Sequence, residues 1–325
     1  MVETIYFGGG TPSLLSAHEL ETILNKVANN YTVSQTAEIT LEANPDDLNA
    51  QYLKELIQIG FNRLSVGIQS FFDEDLKYMN RIHNSQESES CIHYIQESEF
   101  ENFSIDLIFG GHTTKDDNWI ENLKKAASLE IPHISIYGLT VEPKTALDHF
   151  IKQGKYPPLD DMKFERQFSH TQKFLTEMGY DQYEVSNYSK KGFYSKHNSA
   201  YWSEKPYLGI GPSSHSYLDS SRFYNISNNS KYIDAISKDQ IPNEKEELTD
   251  TDQYNEYIMT RLRTKEGLRV GKVSTFPEFL VRYFNHAKEA LVETQELIEH
   301  DGQCFIPDPQ RIYTDRITQS LFYVA

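Results

Sequence analysis

A set of glycine, polar and charged residues stands at or just beyond the ends of short apolar runs, and together they outline a ligand site. Ile5–Phe7 runs straight into Gly8-Gly9-Gly10-Thr11-Pro12. Three consecutive glycines cost conformational entropy, so a loop that keeps them implies close approach of a ligand to its backbone. Gly9, Gly10 and Thr11 can offer backbone groups to a ligand ammonium or carboxylate. Glu42 follows the run Glu38–Leu41, and Gln69 follows Arg63–Ile68. Asp106 interrupts the apolar stretch Ile105–Phe109. A carboxylate buried there is costly unless it is satisfied, and it can accept hydrogen bonds from a ribose diol. Arg81, in a helical pattern with Asp75 and Met79, can pair bidentately with a ligand carboxylate. Each residue alone has an ordinary reading as a cap, a turn or a salt bridge. Their joint placement on successive run ends is what points to a site.

The elements that must position them follow from periodicity. Ile5–Phe7, Glu38–Leu41, Arg63–Ile68, Ser104–Phe109 and His133–Leu139 read as strands. Each after the first follows a helix-period segment: Leu20–Val27, Tyr52–Ile59, Cys91–Phe100 and Trp119–Leu129. Ser13 or Ser16 caps the helix that runs through about Val27. This alternation predicts βα units around a parallel sheet, with the site at the carboxyl ends of the strands. Consecutive units without a switch point favour a partial barrel over a doubly wound sheet.

Composition narrows the function classes. The chain has 325 residues, enough for one large α/β domain and an appendage. Its net charge of -17 repels phosphate backbones and anionic lipid, which argues against nucleic acid and membrane surfaces as partners. No apolar run approaches the ~18–20 residues of a membrane helix, and no signal peptide is evident. Cys91 and Cys304 are distant and form no CxxC, which argues against a disulfide scaffold and a zinc site and fits a reducing cytosol. Cys91, in a helix-period stretch, reads as packing.

Beyond the repeats, Asp160–Met178 is helical, with Phe164, Phe168, Phe174 and Leu175 as a core stripe. Tyr180–Tyr188 alternates like a strand, and Tyr207–Tyr217 is a Gly-rich loop leading into another. Asn225–Lys245 is polar, which places a boundary between residues 1–237 and 238–325. In the second part Asp250 caps a helix to about Arg263, further helices cover Pro277–Phe284 and His286–Glu299, and Cys304–Pro307 with Arg311–Thr314 forms a hairpin. That pattern is winged-helix-like. Residues 245–325 carry 14 acidic and 10 basic side chains, a net of -4, so the module is expected to pack or interact rather than to bind DNA.

GGGTP at 8–12, LEANP at 41–45, RLSVGIQSF at 63–71 with Arg81 beyond it, and SIDLIFG at 104–110 occur in order. This set resembles the radical S-adenosylmethionine (SAM) proteins of the HemN/HemW group. The match runs from residue 2 to about Gly211 and continues more weakly into the C-terminal module. The resemblance implies a six-unit partial βα barrel. It also implies that Gly9, Gly10, Thr11, Glu42, Gln69, Arg81 and Asp106 contact SAM. Tyr183-Glu184-Val185-Ser186-Asn187 and His197-Asn198-Ser199-Ala200-Tyr201-Trp202 resemble the HemW side of the group, whose HNxxYW pattern is linked to haem binding. His197 is then the expected haem ligand, with Tyr201 and Trp202 against the porphyrin. His215 is a weaker candidate of the same kind.

The family places a first strand and a CxxxCxxC loop, holding a [4Fe–4S] cluster, before GGGTP. This chain starts at the strand before GGGTP, and neither Cys91 nor Cys304 matches a cluster ligand. The expectation is a barrel without its first strand, an N-terminally truncated protein, and Thr4–Phe7 as an edge strand. The function the resemblance favours is a cytoplasmic haem chaperone that passes haem to acceptor proteins. The alternative is an oxygen-independent coproporphyrinogen III dehydrogenase, and a fragment without activity is the third reading.

Overall fold

The computed structural model describes residues 1–324. Its backbone divides into two compact units, Met1–His197 and Asn198–Ala325.

The first unit is a curled sheet with helices packed on one side. Five parallel strands come first: β1 (Val2–Phe7), β2 (Val33–Ala43), β3 (Arg63–Gln69), β4 (Phe103–Phe109) and β5 (His133–Gly138). A hairpin of β6 (Asp181–Glu184) and β7 (Asn187–Ser189) closes the sheet, with β7 antiparallel to β5. The order β1-β2-β3-β4-β5-β7-β6 leaves β1 at one edge, as expected. The expected single strand over Tyr180–Tyr188 is this hairpin. The intervening helices are α1 (Ala17–Asn30), α2 (Ala50–Gln58), α3 (Asp73–Tyr78), α4 (Ser85–Glu97), α5 (Asp116–Ser128), α6 (Ala146–Lys152) and α7 (Asp161–Glu177). Ser16 caps α1 in a reciprocal capping box with Glu19. Phe168 and Leu175 of α7 are buried, whereas Phe164 and Phe174 are only partly so.

Strand alternation separates two chemistries. One face carries Leu41, Leu64, Val66, Ile68, Ile105, Leu107, Phe109, Ile134 and Ile136, all in the core with Leu20, Leu53, Leu56, Ile92, Ile95 and Leu123 of the helices. The residues between them are polar: Thr4 and Tyr6; Glu38, Thr40 and Glu42; Arg63 and Ser65; Ser104 and Asp106; His133 and Ser135. Parallel strands covered on both faces read as continuous apolar runs. Here the second face is a polar barrel interior, which is where Asp106 belongs.

The chain enters the second unit within α8 (Lys196–Trp202). There β8 (His215–Leu218), β9 (Ser221–Asn225) and β10 (Asn243–Glu247) form an antiparallel sheet, with α9 (Asn229–Ser237) between the last two strands. The polar stretch read as a boundary is therefore structured, and β10 pairs with β9 across 237/238. The two compact units divide earlier, at 197/198.

Helices α10 (Asp250–Leu262), α11 (Val270–Val273), α12 (Glu278–Glu293) and α13 (Thr314–Ser320) then surround a core that includes Tyr254, Ile258, Leu280, Phe284 and Ile317. Thr249, rather than Asp250, caps α10, in a box with Asp252. The small sheet is β11 (Leu268–Arg269), β13 (Gln303–Phe305) and β12 (Ile298–His300), in that order. Two expectations are corrected in this region. The two helices read over 277–299 are one, α12, which ends before Gln295 turns the chain at φ +59°. The hairpin read over 304–314 lies at 298–305 instead. Asp301-Gly302 takes φ +49° and +72°, the two-residue turn that an Asp-Gly pair favours. Pro307 and Pro309 flank the start of a 3-10 turn over Asp308–Tyr313, which removes Arg311–Tyr313 from any strand.

Candidate functional site

The carboxyl ends of β1–β4 surround an open cavity whose walls include Gly10, Thr11, Glu42, Gln69, Arg81 and Asp106. Six of the seven residues expected around SAM thus line one space. The seventh, Gly9, donates its backbone N–H to Glu42 Oε2 at 3.3 Å. Glu42 Oε1 accepts the Tyr6 hydroxyl at 2.7 Å. The glycine run has a local cause. Gly9 lies at φ +77°, and a Cβ on Gly8 would come within 2.7 Å of the Glu42 carboxylate. A Cβ on Gly10 would meet nothing within 4 Å, so the space before that glycine is open to a ligand.

Gln69 ends β3 at φ +67°, an uncommon conformation for a residue with a side chain, and is buried. A polar network fixes the loop behind it. Ser70 and Thr113 hydroxyls donate to the two oxygens of buried Asp75 at 2.9 and 2.6 Å, and Asn122 Oδ1 accepts the Phe71 N–H at 2.7 Å. Arg81 is half-buried and forms no ion pair among the described residues. Burial draws its guanidinium below the ordinary value, and the Asp106 charge opposes that.

Asp106 is the centre of the cavity's chemistry. Burial pushes its carboxyl up to about 7, a Ser135 hydrogen bond opposes the rise, and the charge of Glu42 adds to it. Its Oδ1 atom is buried with no hydrogen-bond partner, as is Thr40 Oγ1 on the same face. An unpaired acceptor next to a cavity fits a ligand that brings its own donors, such as a ribose diol. On this observation the residues fit SAM. They do not fit an iron–sulfur cluster. The chain has two cysteines, both buried, on α4 and β13, and no group of three metal-ligating side chains exists among the described residues. Burial also pushes the Cys91 thiol up to about 12, the behaviour of a packing residue.

A second polar layer lies deeper in the barrel. Glu38 accepts the backbone N–H groups of Lys196 and His197, both at 2.9 Å, and the Ser195 hydroxyl at 3.4 Å; Arg63 Nε stands 3.7 Å away. His133 Nε2 bonds the Tyr183 hydroxyl at 2.8 Å, and burial holds its imidazole well below the ordinary range. This layer fixes His197, which lies outside the cavity lining. The His197 ring stacks on Tyr6 with centroids 4.6 Å apart, and Nδ1 meets Thr4 Oγ1 at 3.1 Å. Burial lowers its pKa.

Tyr6, Thr40, Ser65, Gly67 and Ser135 were not singled out by the sequence reading, although Ser65 and Gly67 line the cavity. The signal was present: polar residues recurring at period two inside apolar strands. A larger depression between α4 and α5, lined by Phe71, Phe72, Glu89, Glu121, Lys124 and Lys125, contains no comparable set of groups.

Comparison with known proteins matches residues 1–126 to the radical SAM superfamily. A haem chaperone HemW of Bacillus subtilis is 35% identical over 272 residues, covering 82% of this chain and 71% of that protein. A haem chaperone HemW of Lactococcus lactis is 34% identical over 304 residues, covering 93% and 79%. Among solved structures, the Escherichia coli coproporphyrinogen III oxidase HemN, a radical SAM enzyme, superposes with a TM-score of 0.84 over 99% of this chain and 78% of that one, at 20% identity. That likeness shows the fold. No helix among the described residues is long and apolar enough to cross a membrane.

Proposed function

The chain belongs to the HemW family of radical SAM proteins, and from that premise we propose that it binds haem and passes it to acceptor proteins, with SAM held at the barrel mouth. The observation that carries the reading is the HNxxYW segment at 197–202 in a chain 34–35% identical to haem chaperones over most of its length. Its two free thiols favour a cytoplasmic setting.

For SAM, Gly9, Gly10 and Thr11 present backbone groups to the amino-acid end. Glu42 takes the ammonium, Arg81 pairs with the carboxylate, Asp106 receives the ribose hydroxyls, and Gln69 walls the far side. Bound next to a reduced cluster, SAM is a source of the 5′-deoxyadenosyl radical; no step of that kind is assigned to the thiols of this chain. For haem, His197 offers Nε2, since Nδ1 faces Thr4. The purified chain should bind ferric haem stoichiometrically and show a Soret band. Conversion of coproporphyrinogen III to protoporphyrinogen with no haem retained would instead favour the dehydrogenase.

A further inference from the structure

One side chain touches both groups to which the proposed function gives separate ligands. The Tyr6 hydroxyl donates to Glu42 Oε1 at 2.7 Å. The Tyr6 ring lies against the His197 imidazole, with centroids 4.6 Å apart and planes 18° from parallel. Alternation along β1 places Thr4 on the same face as Tyr6, and Thr4 Oγ1 lies 3.1 Å from His197 Nδ1. Two successive inward residues of one strand therefore set the plane and the edge of this imidazole.

The contact at the other end depends on Gly8. A Cβ there would stand 2.7 Å from the Glu42 carboxylate and 2.7 Å from the Tyr6 ring, so the missing side chain is the space in which the two meet. Burial and the Glu42 charge raise the pKa of the Tyr6 hydroxyl, which keeps it a donor to the carboxylate. The second oxygen of Glu42 has a weaker hold, the 3.3 Å bond from Gly9 N–H, and is the one an ammonium can take without displacing Tyr6. At the far end the backbone of His197 is fixed, because its N–H donates to Glu38 at 2.9 Å. What remains free to respond there is the ring.

We propose that Tyr6 is a positioning residue that couples the two sites, so that the amino-acid end of SAM on Glu42 orders the His197 ring for its own ligand. The inference rests on the SAM and haem reading above and adds a dependence between the two ligands. An ammonium on Glu42 restrains the carboxylate, the carboxylate restrains the Tyr6 hydroxyl, and the Tyr6 ring restrains the imidazole. The ordering cost is incurred once for both ligands, so the coupling is favourable. By reciprocity, haem on His197 tightens SAM by the same factor.

The test follows the His197 ring resonances by NMR in the full chain labelled at histidine, assigned with His197→Gln. The titrant is S-adenosylhomocysteine, which carries the same amino-acid end as SAM. The resonances should shift as the mouth fills, and ferric protoporphyrin IX should bind roughly threefold to tenfold more tightly at saturation. Tyr6→Phe keeps the stacked ring and cuts the bond to Glu42. It should still bind both ligands, but with the His197 shift lost and haem affinity independent of S-adenosylhomocysteine. A His197 signal that ignores the titration in the unsubstituted chain, or that moves equally in Tyr6→Phe, would overturn the proposal. A chain that takes up no haem would remove the haem reading, while the His197 shift still decides the link. A chain that binds no S-adenosylhomocysteine would overturn both the SAM site and the link.

Discussion

Glu38 and Glu42 lie four residues apart on one strand and one face, yet they belong to different regions of the barrel interior. At the floor, Glu38 is 4% exposed and gathers two backbone N–H groups, a hydroxyl and, more distantly, the Arg63 guanidinium. At the mouth, Glu42 holds Tyr6 and a long bond to Gly9, while Asp106 Oδ1 has no partner. The floor resembles a folded core in its accounting, because its central carboxylate is saturated by the chain itself. The mouth leaves acceptors open and holds a desolvated Arg81 beside a carboxyl that resists ionisation. Burial alone does not mark a site, since both layers are buried in large part. What separates them is the state of the carboxylates: Glu38 is saturated by the chain, whereas Asp106 Oδ1 is left open at the cavity, although Arg63 Nε and His133 Nδ1 on the floor also lack hydrogen-bond partners.

The contrast can be broken most sharply at the floor. Glu38→Ala would leave Arg63 buried without its counter-charge and two N–H groups without an acceptor. It should cost roughly 3–5 kcal/mol in denaturant unfolding. A loss below about 1 kcal/mol would place Glu38 among exposed charges of no structural weight.

The mouth should behave in the opposite way. Asp106→Asn removes a desolvated carboxyl whose Oδ1 has no hydrogen-bond partner, so unfolding stability should hold or rise. Calorimetry should show binding of SAM or S-adenosylhomocysteine weakened by roughly 1.5–3 kcal/mol. Unchanged affinity would make Asp106 a structural group and remove the centre of the proposed SAM site.

A smaller net effect is expected from pH, because the two layers oppose each other. Asp106 titrates near 7 in the folded chain against an ordinary 3.8. Between those values the folded state keeps a proton that the unfolded state releases, so this group's contribution to stability falls as pH rises. His133 is held well below 6.5, so below that pH the unfolded state takes up a proton that the folded state refuses. Its contribution falls as pH drops. The stability of Asp106→Asn relative to the unsubstituted chain should therefore climb from about pH 4 to pH 7 and then level off. A flat difference would show that Asp106 ionises normally.

Tyr6→Phe should give the smallest change. It deletes the hydroxyl bond to Glu42 but keeps the ring beneath His197. Stability should fall by only about 0.5–1.5 kcal/mol, with SAM affinity lowered to a similar extent. A larger loss of SAM affinity than for Asp106→Asn would move the centre of the mouth from β4 to β1.

Local signals determined much of this protein without any fold. The βα alternation, the GGGTP turn, the Ser16 cap and the polar residues at run ends each act within a few residues of their own position. That is why the five parallel strands agree with the sequence reading and six of the seven residues it singles out line one cavity. Asp301-Gly302 was equally local, and missing its turn preference moved the predicted hairpin downstream. Other features depended on partners far along the chain. Glu38 meets Lys196 and His197 across about 160 positions, and Tyr6 finds Glu42 and His197 on other elements. The pairing of β10 with β9 gave structure to a stretch whose composition resembles a linker. A sequence shows which residues can bond, but only the folded sheet decides which of two carboxylates on one strand meets backbone groups from far along the chain and which lines the cavity.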